Sequence, residues 1–260
     1  MAGLEILSPV RQLARNSLRW RTNLGLTIAA TFLLRVTLPI AAVGTALWAQ
    51  SAGVGLFHII EVPPLLSILI AIIALDALVY LQHRLMHRFD ILWRLHKVHH
   101  ADMALDVTTA LRFHPLEIFL SMLLKMAFVA ALGAPPLGVL IFEVLLNACA
   151  MFNHANLELG ATANRILRRI IVTPDMHRSH HSVEPDEQNK NFGFNLSLWD
   201  RIFATYQEVD KADLAQMRLG LADCPEPKPN QFIWSLILPF LKIEPVKASH
   251  LSKGKAGEPL

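Results

Sequence analysis

The chain has 260 residues, of which 53% are hydrophobic and only 17% are charged, and its formal net charge is +3. This composition excludes a disordered chain, a soluble coiled coil and a collagen-like fibre, and the scattered positive charges form no basic patch for nucleic acid. Composition therefore indicates an integral membrane protein.

Four apolar segments have about the length that a helix needs to cross a bilayer. They run over residues 24–48, 64–81, 115–132 and 137–152, and Gly133-Ala134-Pro135-Pro136 separates the last two. Residues 232–241 are apolar but too short to span, and they predict an interfacial or packed helix. We expect an all-α membrane domain over 1–230, with its motifs in 65–208, and a short apolar segment and flexible tail over 231–260.

Lys and Arg residues favour the cytoplasmic side of a membrane. Arg11, Arg15, Arg19 and Arg21 precede the first span, and the segments 82–114 and 153–230 are rich in positive charge. The loop 50–63 and the turn between spans three and four contain no Lys or Arg. The sequence therefore predicts two hairpins with both termini and a helical cap in the cytoplasm.

The histidines are organised into three clusters. The second span ends in His83-Arg-Leu-Met-His87, then comes His96-Lys-Val-His99-His100, and much later His177-Arg-Ser-His180-His181. Residues at i, i+3 and i+4 share a helix face, so each cluster is expected to offer its imidazoles to a common point. The predicted topology places all three clusters on the cytoplasmic side.

Imidazole is a good ligand for zinc, copper, iron and nickel. Eight or nine imidazoles are too many for one ion, so we expect two neighbouring ions, and a redox pair that handles oxygen explains so many ligands better than zinc catalysis, which commonly needs three. His154 lies where the fourth span reaches the cytoplasmic face and is a ninth candidate ligand. His114 precedes the third span and is expected to make a contact at the helix entry, with a ligand role as the alternative.

Charged residues inside spans are costly and usually face a partner or a cavity. Asp76 lies two turns before His83 on the same helix face, and it is expected either to orient a ligand imidazole or close a substrate cavity, or to pair with Arg35. Lys125 and Glu143 lie at nearly equal distances from the Pro-Pro turn and are expected to pair.

Four other positions near these features carry expectations. Asn147 follows Glu143 on the same stripe and is expected to line the cavity, and Asp175, two residues before His177, is a candidate to orient a ligand. Asp200 is expected to cap a helix or pair with Arg201. Trp93, near a predicted membrane boundary, is expected to lie in an aromatic belt.

The order HxxxH, HxxHH, a membrane hairpin, an Asn-His pair and HxxHH resembles the fatty acid hydroxylase and sterol desaturase superfamily. The segments Arg112-Phe113-His114-Pro115-Leu116-Glu117, Phe152-Asn153-His154-Ala155-Asn156, Asn191-Phe192-Gly193 and Leu198-Trp199-Asp200-Arg201-Ile202-Phe203 also fit. The resemblance covers about residues 65–208. One departure is Ala150, one turn before His154, where some fatty-acyl hydroxylases of the group have another histidine, so fatty-acyl 2-hydroxylation is not implied.

The resemblance implies a four-helix membrane stem, two iron ions, O2 as the oxidant and a lipid substrate that is hydroxylated or desaturated. The implied iron ligands are His83, His87, His96, His99, His100, His177, His180 and His181. The sequence has no dinucleotide, haem or flavin motif, so electrons from NAD(P)H are expected to arrive through a ferredoxin or small cytochrome. Seven basic residues could dock that carrier or touch lipid phosphate: Arg84, Arg88, Arg94, Lys97, Arg168, Arg169 and Arg178.

Two other classes of function remain as alternatives. A metal transporter or sensor would place histidines along a path through the membrane, and a membrane zinc hydrolase would keep the fold with a different metal. The absence of a retrieval signal such as KDEL favours a bacterial inner membrane over an endoplasmic reticulum.

Overall fold

The computed structural model describes residues 1–13, 17–208, 210–222, 224 and 227–242. In these residues the regular structure is helical, with isolated β-bridges and no β-strand ladder. Arg15 and the predicted tail beyond Lys242 lie outside the described residues.

The α-helices in chain order are α1 Ala2–Leu7, α2 Ser17–Thr37, α3 Ala41–Ala52, α4 Leu56–Ile59, α5 Pro64–Arg88, α6 Asp90–His100, α7 Pro115–Leu132, α8 Pro136–Asn153, α9 Ala161–Leu167, α10 Pro174–His180, α11 Pro185–Gln188, α12 Leu198–Ile202, α13 Lys211–Gln216 and α14 Phe232–Ile237.

Four helical segments are long and apolar enough to cross a membrane, as the sequence predicts. They are Ser17–Ile59, Pro64–Arg88, Pro115–Leu132 and Pro136–Asn153. The third matches its predicted bounds, and the second continues unbroken to Arg88, so it carries His83 and His87 on its last two turns.

The first predicted span is wrong in one respect, because the structure breaks it into α2 and α3. The break contains Pro39, which has no backbone N–H to donate and disfavours the helical conformation of the residue before it. Ala41, at the start of α3, has a φ of 47°, outside the right-handed helical region. The first membrane segment is therefore two helices joined at a proline.

The stem is held together by small side chains. Helix α5 packs against α8, and α2 and α3 pack against α7. Ala42, Ala46 and Ala71 are buried in the same cluster as Leu75 and Phe142. Because lipid chains are as apolar as the protein core, such helices associate mainly through close packing, which small residues allow.

Two turns meet at one end of the stem. Gly55 has a φ of 109°, and a Cβ added there would lie 2.2 Å from the backbone nitrogen of Gly133. Gly133 has a φ of 65° and ends α7 in the left-handed conformation. Glycine is required on both sides of this contact, which fixes the end of α3 beside the turn that joins α7 to α8.

The opposite end carries the cap, which consists of described residues 89–114 and 154–222. Helix α2 reaches into it, because Arg19 is 4% exposed and donates to Asp102 at 2.6 Å and to Asp106 at 2.5 Å. The hydroxyl of Thr109 also donates to Asp102 at 2.8 Å. This buried network joins the N-terminal end of α2 to the loop that follows α6.

The short apolar segment near the C-terminus is a packed helix, α14, one of the two expected forms. Leu238 and Ser235 are fully buried, and α14 contacts α2. The guanidinium of Arg112 donates to the carbonyl of Pro229 at 2.7 Å and to the Ser235 hydroxyl at 3.0 Å. The segment is thereby attached to the cap.

We predict that Arg19→Met destabilises the protein strongly, because Asp102 and Asp106 would lose their buried positive partner. Removing one member of a buried ion pair costs about 3–5 kcal/mol. Arg21→Met is the matched control, since Arg21 lies on the same helix and is exposed. Thermal unfolding in nanodiscs measures the difference, and equal midpoints for the two variants would show that the network contributes little.

Candidate metal centre

Nine histidines converge where the stem meets the cap, and they form two groups. Within each group, one nitrogen from every ring lies within 4.8 Å of all the others. All of these residues are buried except His87, which is half-buried. The first group is His83, His87, His96, His100 and His180, and the second group is His99, His154, His177 and His181.

The two HxxHH clusters do not each point to one place, contrary to the expectation from spacing. His96 and His100 enter the first group while His99 enters the second. His177 and His181 enter the second group while His180 enters the first. The i and i+4 residues are closer in direction on a helix than either is to i+3, so each motif serves two neighbouring points.

Backbone carbonyls hold four of the rings in place. Nδ1 of His83 donates to the Phe192 carbonyl at 2.7 Å, and Nδ1 of His180 donates to the Lys190 carbonyl at 2.8 Å. In the second group, His99 and His154 donate in the same way. Their acceptors are the carbonyls of Arg112 at 3.1 Å and Ala150 at 2.7 Å.

The other ring nitrogen of these histidines therefore presents a lone pair to the centre. The Nε2 atoms of His83 and His180 are 3.0 Å apart, and those of His99 and His154 are also 3.0 Å apart. His177 Nε2 lies 2.9 Å from that of His154. Where both Nδ1 atoms donate to carbonyls, neither Nε2 of a neutral pair can donate to the other, so two lone pairs face each other, and a bound cation would relieve their repulsion.

Burial favours the neutral form of five of these imidazoles, all outside the membrane-spanning helices. It lowers the pKa of His180 to about 3 and that of His154 to about 4. The pKa of His99, His100 and His181 is also lowered, first by burial and then by the neighbouring histidines. Neutral imidazole is the form that binds a metal ion.

Aromatic rings surround the two groups. Phe113 stacks on His99 with ring centroids 4.2 Å apart, and Phe192 contacts His83 edge-on at 5.6 Å. Trp93 lies 4.9 Å from His87, so it also contacts the first group, and its expected place in an aromatic belt stays a prediction. These rings give the centre an apolar surrounding.

Asp76 has different partners from those expected. Its carboxylate accepts from the indole of Trp199 at 2.8 Å and from the backbone of Leu196 at 3.2 Å. Arg35 is exposed and forms no ion pair with Asp76 in the described chain. Asp76 thus attaches the segment after Phe192 to α5. The carbonyl of Phe192 is the hydrogen-bond partner of His83.

Asp200 also acts on this segment, although a helix cap or a pair with Arg201 was expected. It is fully buried and accepts from the backbone nitrogens of Phe192 at 2.8 Å and Gly193 at 2.9 Å. Thr205 donates to the same carboxylate at 2.7 Å. The two aspartates together hold the loop whose carbonyl orients His83.

The remaining predicted positions lie around the centre. The carboxylate of Asp175 accepts from Asn164 at 2.6 Å. His114 is the N-cap of α7, where its Nδ1 accepts from the Leu116 nitrogen, so the helix-entry expectation is confirmed. Asn147 lines a cavity beside the first group.

Sequence reasoning missed Glu117 as a functional candidate. Its carboxylate lies 2.7 Å from Nδ1 of His96, and both groups are buried. A carboxylate on the far nitrogen of a ligand imidazole orients the ring and raises its basicity. The available signal was an acidic residue in the first turn of a membrane helix, three residues after His114.

A cavity of about 280 Å³ descends from the first group between α2, α5, α7 and α8. Its upper wall includes His83, His96 and Glu117. Its lower wall includes Lys125 and Glu143, whose predicted pairing is confirmed by a 2.6 Å contact. The cavity joins the first group to the apolar interior of the stem.

The model of the fatty acid hydroxylase family matches residues 68–205, more than half of the chain, so the chain belongs to this family. It is 30% identical over 144 residues to an ornithine lipid hydroxylase of Rhizobium tropici, covering 55% of this chain and 43% of the relative. It is 34% identical over 161 residues to an alkylglycerol monooxygenase of Danio rerio, covering 60% of this chain and 34% of the relative. The chain thus spans less than half the length of these curated relatives. No solved structure matches it.

We predict that Glu117→Ala weakens metal binding about 10- to 100-fold, the usual effect of removing the partner of a ligand imidazole. Metal retained during dialysis against graded chelator concentrations measures the affinity. Glu184→Ala is the control, because Glu184 is exposed. Equal retention by the two variants would show that Glu117 does not support metal binding through His96.

Proposed function

We propose that this chain is a membrane-bound oxygenase that uses two iron ions and O2 to hydroxylate or desaturate a lipid. The observation that carries the proposal is the pair of histidine groups with facing Nε2 lone pairs. Family membership and the printed names of the relatives, a lipid hydroxylase and a monooxygenase, support lipid oxidation. In this proposal the iron ligands are His83, His87, His96, His99, His100, His154, His177, His180 and His181.

The number of nitrogens in the first group supports a metal with more than four ligands. Five imidazoles, one nitrogen from each, lie within 4.8 Å of one another there. Structural zinc sites are almost always four-coordinate, and catalytic zinc commonly uses three protein ligands. The donor set of the first group therefore favours a metal of higher coordination number over zinc.

The number of histidines supports a reactive site rather than a closed structural one. Five imidazoles in the first group and four in the second would each leave room at a six-coordinate ion, and a catalytic metal needs such open positions. When bound, the two irons would supply the redox chemistry that activates O2. The protein contributes ligand geometry, exclusion of water and access for the lipid.

The cavity defines where the substrate would lie. Of the nine histidines, His83 and His96 line it, and both belong to the first group. A lipid entering from the stem would place a carbon beside the first group, while the second group lies behind it. Glu117 would keep the His96 ring fixed as the substrate enters.

Electrons would come from NAD(P)H through a ferredoxin or small cytochrome. An acidic carrier could dock on exposed cap-side residues including Arg84, Arg88 and Arg94. Two residues expected on this surface, Arg178 and Arg168, are buried instead. Arg168 also pairs with Glu208. Turnover that falls with rising salt would be consistent with this docking.

The orientation we propose has both termini and the metal centre in the cytoplasm, the spans in two hairpins, and the protein in a bacterial inner membrane. Loop 50–63 and the turn at the far end contain no Lys or Arg, whereas the cap is rich in both. The contact between Gly55 and Gly133 supports two outer turns on one face.

A metal transporter or sensor is the alternative from another class. It needs ligands along a path through the membrane, but the nine histidines lie together at the cap end. A zinc hydrolase would be expected to need fewer ligands, because catalytic zinc commonly uses three protein ligands. Both alternatives fit the observed groups less well than an oxygenase does.

We predict two iron ions per chain after anaerobic reconstitution, with O2 consumed in the presence of reductant and lipid. His100→Ala in the first group and His181→Ala in the second should each lower the iron content by about one. His114→Ala, which removes a helix cap outside both groups, should retain two. Elemental analysis with an oxygen electrode measures both quantities, and a fully zinc-loaded protein that consumes no O2 would overturn the proposal.

We predict that His58→Cys reacts with a membrane-impermeant maleimide in intact bacterial cells and that Glu184→Cys reacts only after permeabilisation. Both positions are exposed and lie at opposite ends of the stem. Cys149 and Cys224 are first replaced by alanine to remove background labelling. The reverse labelling pattern would reverse the proposed orientation.

A further inference from the structure

An ion pair forms the lower part of the cavity wall. Lys125 on α7 donates to Glu143 on α8 at 2.6 Å, and both residues line the cavity. An ion pair whose only role is to join two helices could be fully enclosed between them. Glu143 is not fully enclosed, because 23% of its side-chain surface is exposed.

The ion pair lies well below the first group. Glu117, which contacts His96, is eight residues before Lys125 on the same helix, and eight residues correspond to about 12 Å. Ser121 lies midway between them and accepts from Gln82. Glu117, Ser121 and Lys125, together with Gln82, all line one cavity, so polar groups recur along its length.

The pair retains hydrogen-bonding capacity. Glu143 Oε1 is bound by Lys125, while Oε2 has no hydrogen-bond partner among the described residues. Lys125 Nζ has three N–H groups, one of which is directed to Glu143. A ligand beside the pair would therefore meet both an acceptor and a donor.

A purely hydrocarbon ligand would leave these groups unsatisfied in an apolar surrounding. Charged residues inside a span usually face a functional partner or cavity because their burial is costly. A hydroxyl group can donate to Glu143 and accept from Lys125 at the same time. Its chemistry therefore matches the lower cavity wall.

We propose that Lys125 and Glu143 bind a hydroxyl group, or a similar group that both donates and accepts, on the lipid substrate. This group would lie about 12 Å from the carbon beside the first group, as the rise of α7 requires. The assignment of the reacting carbon rests on the proposed function. Binding of the hydroxyl does not require turnover.

The experiment compares dodecanol with dodecyl methyl ether on the iron-loaded protein in nanodiscs, with bound ligand counted by native mass spectrometry. The ether cannot donate to Glu143, so the alcohol should bind at least about tenfold more tightly, as expected for a site built to bind a hydroxyl. The double variant Lys125→Met with Glu143→Leu should bind both equally. Arg35→Leu, an exposed charge in the first span, is the control and should keep the preference.

Equal binding of alcohol and ether by the unmodified protein would overturn the proposal, as would a preference that survives in the double variant. If the double variant does not assemble, the comparison on the unmodified protein decides. If the alcohol is preferred but the iron-loaded protein consumes no O2 in the oxygen-electrode assay with lipid and reductant, the oxygenase function is refuted and the hydroxyl site is retained. If O2 is consumed but alcohol and ether bind equally, the hydroxyl site is refuted and the oxygenase function is retained.

Discussion

The structure depends on an electrostatic constraint at its centre, where unprotonated imidazole nitrogens face one another at close range. His83 and His180, and likewise His99 and His154, have Nε2 atoms 3.0 Å apart while their Nδ1 atoms donate to carbonyls. Lone pairs held this way repel each other, and burial prevents protonation from relieving the repulsion. A bound cation would convert this unfavourable arrangement into a set of ligand bonds, and the surrounding protein holds the rings in the orientation that such binding needs.

The orientation of the rings is set by groups that are not themselves among the candidate metal ligands. Asp76 and Asp200 hold the loop whose Phe192 carbonyl binds His83, and Glu117 holds His96. The Arg19 network holds the loop after α6 against α2. Buried polar groups of this kind are tolerated only when they are satisfied. Much of the polar interior of the cap therefore serves to orient the imidazoles, and the oxygenase function we propose relies on that orientation.

Hydropathy predicted the four membrane segments, and motif spacing together with the charge-based topology predicted that the nine histidines lie together. The pairing of Lys125 with Glu143 was predicted from their nearly equal distances to the Pro-Pro turn. The division of each HxxHH motif between two groups was not predicted, since it depends on how α6 and α10 face each other. The partners of Asp76 were also missed, because Trp199 is 123 residues away in sequence. Long-range partners are set by packing that one sequence does not reveal.

X-ray absorption at the iron edge of the anaerobically reconstituted protein tests the central claim most directly. The account predicts a nitrogen-dominated shell of five or six neighbours at about 2.1 Å, the distance typical of imidazole ligands. A four-coordinate shell, or one dominated by sulfur or carboxylate oxygen, would contradict it.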